Sequence, residues 1–249
     1  MIITVINQKG GTGKTTTSVN LGCALAQTKK KVLLIDLDPQ GNLSYWLGVT
    51  APELTMADVM MQEAKIADIL QEREGLSVAP SDMSLADVEI NIASIEQRES
   101  VLKKALEEVE ADYDYIVIDC PPSLSLLTVN ALTATERVIV PLQMEVLSLQ
   151  GLDQIVSSVA RIKEVLNDKL EILGLLPVMV DGRRNLSREI YDYIEENYDL
   201  NLFESKIRSN VRVSEAPSFG ESVLSYSPNS NGAEDYRQFA KEILKLTKN

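Results

Sequence analysis

The apolar run Ile2-Ile3-Thr4-Val5-Ile6 leads directly into Gln8-Lys9-Gly10-Gly11-Thr12-Gly13-Lys14-Thr15-Thr16, and a helix-compatible run follows from Thr17. No other feature constrains this chain as much as this succession of strand, glycine-rich loop and helix. Glycines let the backbone curl until several N–H groups face one anion. The helix N-terminus adds partial positive charge, and Lys14 can reach the β- and γ-phosphates of a nucleotide. Thr15 would then put its hydroxyl on Mg²⁺. Lys9, Gly10, Gly11, Thr12, Gly13, Lys14, Thr15 and Thr16 are therefore the candidate phosphate-binding residues. The competing reading is a plain glycine-rich turn, which the flanking strand and helix argue against.

Short runs rich in Val, Ile and Leu recur between longer helix-like stretches, the alternation expected of an α/β chain. The reading is a mostly parallel twisted sheet flanked by helices on both faces, a P-loop NTPase fold, with residues 1–249 as one domain. Strands are expected at 2–7, 31–36, 76–79, 114–119, 137–142 and 171–180. Helices are expected at 14–29, 82–94, 98–111, 123–134, 149–167, 186–197 and 233–247. The stretches 37–55 and 205–232 are the least regular, and are read as functional loops or as holders of short unresolved elements.

Two strand ends deliver acids. Lys31-Val32-Leu33-Leu34-Ile35-Asp36 runs into Leu37-Asp38-Pro39-Gln40-Gly41-Asn42, and Tyr115-Ile116-Val117-Ile118-Asp119 runs into Cys120-Pro121-Pro122-Ser123. Open α/β sheets bind ligands outside the carboxyl ends of their strands, so Asp36 and Asp38 fall near the γ-phosphate. An Asp there can hold Mg²⁺ through water or orient an attacking water; a strand-end cap is the bland alternative for each. The second run reads as a Walker B strand that brings Asp119 to the Mg²⁺ side of the phosphates. Pro121-Pro122 are expected to start a helix.

Composition narrows the chemistry. The chain has no histidine, so Ser-His-Asp and Cys-His catalysis and histidine-ligated metals are excluded. Cys23 and Cys120 suit reduced, packed thiols rather than a disulfide framework, and neither sits in a cluster-ligating pattern. No apolar run approaches the roughly 20 residues that span a bilayer, and the start of the chain lacks signal-peptide regions, so a cytoplasmic location is expected. Net charge is 24 − 37 = −13. Residues 1–35 carry five lysines and no acid, whereas residues 53–112 carry five bases against fifteen acids, so a polyanion could be met only by a local patch.

The loop departs from G-x-x-x-x-G-K-[ST], because Gln8 stands where the first glycine would fall and Lys9 precedes the glycines. KGGTGKT in this form resembles the deviant Walker A of the ParA/MinD/nitrogenase-iron-protein superfamily. KGGTGKTTT, DLDPQGN, YDYIVIDCPPSL, LLTVNALTA, VIVPLQMEVLSLQGL, VDGRRNLSREI, NVRVSEAPSFG and GAEDYRQFAKEIL follow in the order and spacing of the ParA/Soj partition ATPases. That resemblance implies a cytoplasmic, nucleoid-associated ATPase using ATP and Mg²⁺. It would form a homodimer on ATP, bind DNA without sequence preference, and release it when a ParB-like partner stimulates a slow hydrolysis. It implies that Lys9 reaches the partner subunit's phosphates and that Lys9, Lys14 and Asp38 serve catalysis. Asp38 would position the water, with Thr15, Asp36 and Asp119 on the metal side. The segments 177–181 and 207–213, with Pro177, Arg208 and Asn210 as candidates, would contact the adenine side. The acidic stretch 53–112 is a candidate docking surface for a basic partner segment.

The candidate DNA contacts are Arg183, Arg184, Arg208, Arg212, Lys241 and Lys245, with Arg188 and Lys206 nearby. Such cations give sequence-independent, salt-dependent binding, and two copies on a dimer roughly double the released counterions. Pairing with Asp181, Glu189 or Glu215 is the bland alternative. Two departures from the family pattern matter: Gln143-Met144-Glu145-Val146-Leu147 replaces a stretch that in relatives reads QCEY-aromatic, and Ser209 stands where relatives often carry an arginine. The larger relatives' helix-turn-helix extension is lacking, so specific operator binding is not expected. The last helix could lie on a membrane surface as in MinD, but it corresponds to the domain's own last helix, so its apolar face (Phe239, Ile243, Leu246) is expected on the core and no stable membrane association follows. A nucleoid-bound positioner of a non-DNA cargo is a third reading.

Overall fold

The computed structural model describes residues 1–181 and 186–248. Seven strands among them form one sheet: β1 (Ile2–Val5), β2 (Val32–Asp36), β3 (Gln71–Arg73), β4 (Leu76–Ala79), β5 (Tyr115–Asp119), β6 (Arg137–Gln143) and β7 (Glu171–Val178). Their spatial order is β3-β4-β2-β5-β1-β6-β7, and every neighbouring pair is parallel except β3 with β4. The helices are α1 (Lys14–Gln27), α2 (Asn42–Trp46), α3 (Met56–Met60), α4 (Ile66–Ile69), α5 (Leu85–Asn91), α6 (Val101–Leu106), α7 (Leu126–Ala134), α8 (Val146–Val165), α9 (Leu186–Asn197), α10 (Val211–Glu215), α11 (Val223–Tyr226) and α12 (Asn231–Leu246).

Central strands such as Tyr115-Ile116-Val117-Ile118 are apolar at every position because both faces of a parallel sheet are covered. Ile116 and Ile118 join Leu33 and Ile35 in one apolar layer with Met56, Leu85, Leu102, Leu127, Leu152 and Ile190, from α3 and α5 to α9. Tyr115 and Val117 join Val32 and Leu34 in the opposite layer with Val19, Leu43, Val213, Val223 and Phe239, from α1, α2 and α10 to α12. Helices thus cover both faces, as the sequence alternation implies. At Gly22 the backbone of α1 lies so close to β2 that an added Cβ would overlap the buried Leu34 side chain.

Local chemistry moves several boundaries. The expected strand 171–180 ends at Val178, because Met179 turns into the left-handed region at φ 53°, and Val180 rejoins the sheet only as a bridge to Arg208. The helix expected at 123–134 starts at Leu126, after Ser125 in extended conformation, so Pro121-Pro122 do not begin it. Glu89 Oε1 accepts the Leu127 N–H at 3.2 Å and supplies one of the missing N-terminal partners. The helix expected at 98–111 is α-helical only over α6, where Asn130 Oδ1 takes the Leu102 N–H (3.1 Å) and its amide donates to Arg98 O (2.8 Å). The irregular stretches hold α2, α10, α11 and a 3₁₀ turn over Ala216–Phe219. β3 was not expected; it is three residues long and pairs antiparallel at the sheet edge. Along the other edge, β7 is bonded by the chain that follows α9, through Leu175 N–H to Asn201 O (2.8 Å), Phe203 N–H to Leu175 O (3.0 Å) and Ile207 N–H to Pro177 O (2.8 Å).

Candidate active site

β1 lies mid-sheet, and the loop that leaves it is held by hydrogen bonds to β6 and by a left-handed glycine. Buried Asn7 donates to Pro141 O (2.7 Å) and accepts the Lys9 N–H (3.0 Å), fixing the loop's first turn against β6. Gly13 takes a left-handed φ of 77° immediately before α1, and its carbonyl accepts the first helical bond from Thr17 N–H at 2.8 Å. A Cβ at Gly10 would meet no atom within 4 Å, so the space beside the loop is open. The N-terminus of α1 and the Lys14 ammonium make this an anion site. Burial pushes the Lys14 pKa down, while Asp119 and Asp38 pull it up.

Sheet register assembles the acids. Asp36 of β2 and Asp119 of β5 are direct partners, and Val5 of β1 pairs with Asp119 on its other side. Asp119 Oδ2 accepts from Thr15 Oγ1 (2.6 Å) and Oδ1 from Ser18 Oγ (3.0 Å), so the strand-end acid and the loop threonine named from sequence are joined. Burial pushes the Asp119 carboxyl up to about 8, reinforced by Asp36 and opposed by the Thr15 and Ser18 hydrogen bonds and by Lys14. Asp36 is also fully buried, and burial raises it to about 6 against hydrogen bonds from Ser44 and Asp38. Ser44 N–H (2.9 Å) and Oγ (2.7 Å) donate to its Oδ2, and the Asp38 N–H (3.2 Å) to its Oδ1. With both oxygens engaged, Asp36 suits a water-mediated rather than a direct cation contact.

Thr15 Oγ1 and Asp119 are hard oxygen donors of the kind that hold Mg²⁺, an ion that keeps waters and takes its remaining ligands from phosphates. No group of three or more His, Cys, Asp or Glu able to hold a metal occurs among the described residues. A site completed by phosphate oxygens needs none.

Asp38 is buried in the loop after β2. Its carboxylate accepts the Gln40 N–H (3.0 Å), and its carbonyl accepts Ser81 Oγ (3.0 Å), while Ser81 N–H donates to Ser44 Oγ (2.9 Å). The loop that carries Asp38 is thereby tied to the end of β4. Lys9 lies outside this buried set: its ammonium is 3.6 Å from Glu145 Oε2 and 3.5 Å from Gln143 Oε1, at the start of α8. Cys120 is buried and its thiol pushed up by burial, which fits packing and not nucleophilicity.

A cleft of about 480 Å³ opens beside Gly13 and Thr16. Trp46, Val178, Met179, residues 207–211 and Tyr236 line it, so the two segments named from sequence for the adenine side do meet there. Asn210 and Arg208 belong to this wall. Pro177 does not: it is buried in β7, and its carbonyl holds the Ile207 N–H. The Arg208 guanidinium, 46% exposed, is bonded to Asp235 of α12 at 2.5 Å from Nη2 to Oδ1. Arg212 is 52% exposed and bonded to Glu215 at 2.7 Å, the bland pairing weighed above. Lys241 and Lys245 are exposed on α12. Arg183 and Arg184 lie outside the described residues, as does the side chain of Arg188.

The apolar face of α12 is docked: Tyr236, Phe239, Ala240 and Ile243 are buried against α1 and its surroundings, whereas Leu246 is 47% exposed and does not join them. No helix among the described residues is long and apolar enough to cross a membrane.

Sequence reading missed Ser18, Ser44, Trp46 and Asp235. Ser18 carried a usable signal, since a hydroxyl three residues after Thr15 shares its face of α1. Trp46, whose indole N–H donates to Glu221 O at 2.8 Å, lines the cleft and Asp235 bonds Arg208 of its wall, both from chain-distant segments that leave no local trace.

Residues 1–172 match a family model described as an AAA domain. The chain is 45% identical over 246 residues to the sporulation initiation inhibitor protein Soj of Bacillus subtilis, covering 97% of each chain. It is 44% identical over 249 residues to the chromosome partitioning protein ParA of Caulobacter vibrioides, covering 98% of this chain and 93% of that one. Among solved structures, a cobyrinic acid a,c-diamide synthase from Mycobacterium smegmatis with bound ATP analog and magnesium superposes with a TM-score of 0.87 at 34% identity, over 98% of this chain and 94% of that one.

Proposed function

This chain belongs to the Soj and ParA family of chromosome partitioning proteins, and from that premise we propose that it is a partition ATPase whose grip on DNA is switched by its nucleotide. The observation that carries the reading is the junction of Lys14, Thr15 and Asp119: a loop lysine, a loop hydroxyl and a strand-end acid meet beside an open, left-handed glycine turn. Those three groups answer to the γ- and β-phosphates and to Mg²⁺. The named relatives and the ATP analog and magnesium of the similar structure support ATP as substrate and Mg²⁺ as its companion.

In this reading Thr15 and Asp119 hold Mg²⁺, with Asp36 acting through water. Mg²⁺ held there would neutralise charge that develops on the phosphate oxygens. Lys14 and the first-turn amides of α1 stabilise the equatorial oxygens of the transferring phosphoryl group, and Asp38 orients the attacking water. The cleft between Met179 and Val211 receives the base. Lys9 leaves Glu145 and Gln143 to reach the phosphates of a second subunit, closing an ATP-dependent homodimer. Arg183, Arg184, Arg212, Lys241 and Lys245 then contact DNA phosphates from both subunits, and a ParB-like partner accelerates an otherwise slow hydrolysis. The docked face of α12 favours DNA over a lipid surface as the polyanion.

Fluorescence anisotropy of a labelled random-sequence duplex, titrated with the protein in ATP and in ADP at two salt concentrations, tests this function. Tight binding in ATP alone that weakens with salt is expected. Binding in neither nucleotide would overturn the DNA reading, and recruitment to anionic liposomes instead would establish the membrane one.

A further inference from the structure

Asp235 is an acid buried on α12, only 4% exposed, with its carboxylate turned toward the wall of the cleft. It accepts the Arg208 backbone N–H (3.0 Å) on Oδ2. It also accepts Arg208 Nε on both oxygens (3.0 and 3.1 Å) and Nη2 on Oδ1 (2.5 Å). Arg208 itself bridges to Val180 beyond the end of β7, and Ser209 N–H donates to Val180 O at 3.2 Å. Asn210 Oδ1 then caps α10 through the Arg212 N–H at 2.9 Å. Residues 208–211 line the cleft together with Trp46 and with Tyr236, the immediate chain neighbour of Asp235.

We propose that Asp235 is a positioning residue for nucleotide binding: through Arg208 it fixes the 207–211 wall at the distance a purine base requires. Charge-assisted bonds to a buried carboxylate are among the stronger local restraints a fold can apply. This restraint acts on backbone as well as side chain. Its removal leaves the Arg208 N–H unpaired and frees the wall to move, which weakens ground-state binding of the base. The phosphoryl machinery stays in place: Asp38 and Asp119 belong to the ends of β2 and β5, and Lys14 opens α1, which packs on α12 through Tyr236, Phe239, Ala240 and Ile243, side chains that a change at Asp235 leaves intact. The signature is therefore a change in nucleotide affinity without a matching change in turnover. The inference rests on the reading of the cleft as the base side of an ATP site.

The test is titration with a fluorescent ADP analogue alongside steady-state ATPase kinetics for wild type and for Asp235→Ala, Asp235→Asn and Arg208→Ala. Asp235→Ala is expected to raise Kd and KM about tenfold with kcat within about twofold of wild type. Asp235→Asn, which keeps an acceptor for the Arg208 N–H, should recover part of that loss and serves if the alanine variant does not fold. Arg208→Ala, which leaves the carboxylate on its own backbone partner, should cost less than Asp235→Ala. Unchanged affinity in Asp235→Ala and Asp235→Asn would overturn the proposal, as would a fall in kcat at constant KM. A loss in Arg208→Ala larger than in Asp235→Ala would also overturn it, by showing direct contact from the guanidinium. Wild type and Lys14→Ala serve as the control: if they bind the analogue equally, the ATP-site reading itself fails, whatever the Asp235 variants do.

Discussion

Asp36 and Asp119 are register partners on neighbouring parallel strands, both sealed from solvent, and Asp36 adds to the proton affinity that burial already gives Asp119. In the metal-free and nucleotide-free protein the Asp119 carboxyl, at about 8, lies far above its ordinary value of 3.8. The folded state therefore holds more protons than the unfolded chain through roughly pH 4 to 8, and stability falls as pH rises across that interval. Calorimetric melting should give a lower Tm at pH 8 than at pH 6, and Asp119→Asn should flatten the difference. Equal slopes for the two proteins would place the effect elsewhere.

Asp38→Ala should abolish ATP hydrolysis while nucleotide binding and ATP-dependent DNA binding persist, because the role proposed for it is to orient the attacking water and not to bind phosphate or Mg²⁺. Phosphate release and duplex anisotropy on the same preparation check this. Loss of DNA binding along with hydrolysis would move Asp38 to a structural role, for which its bond to the Gln40 N–H is the candidate.

Arg212→Ala should weaken duplex binding at unchanged ATPase activity and lower the slope of log K against log salt by about one to two per dimer. The Glu215 pairing does not preclude this, since an exposed ion pair contributes little and exchanges readily for a phosphate. A slope identical to wild type would clear Arg212 of phosphate contact.

Gly22→Ala should destabilise the fold by about 1 to 3 kcal/mol, as overpacking of a filled core does. The new methyl would force the buried Leu34 side chain from its place between α1 and β2. Urea unfolding measures the loss. A companion Leu34→Ala change on the same background should recover part of it if overlap is the cause, and no recovery would reject that cause.

The parts of this molecule that were legible in the sequence are those whose physics is local. The loop from Lys9 to Thr16 announces itself because backbone curvature, helix start and lysine all lie within a few residues. β2 and β5 announce themselves because a doubly covered strand must be apolar throughout before its terminal acid. β3 escaped notice because Gln71-Glu72-Arg73 is three polar residues with no alternation to detect, paired only because the turn at Glu74-Gly75 folds it onto β4. Asp235 escaped for a different reason: its partner is 27 residues away, and nothing in GAEDYRQFAKEIL marks that acid as facing inward. The same distance hides the pairing of Arg208, which looks like a free cation in a basic segment until α12 supplies its carboxylate.

The two margins of the sheet bear on how copies of this chain can meet. One margin is only three residues long and polar, and the other is already occupied by the segment around Leu202 and Arg208. Neither offers a long ladder of unsatisfied amides to a second molecule. Self-association by strand addition, the route to runaway fibres, is thereby closed off at both ends. Any assembly this protein builds is therefore left to helices and loops, contacts that can come apart again without unravelling the sheet.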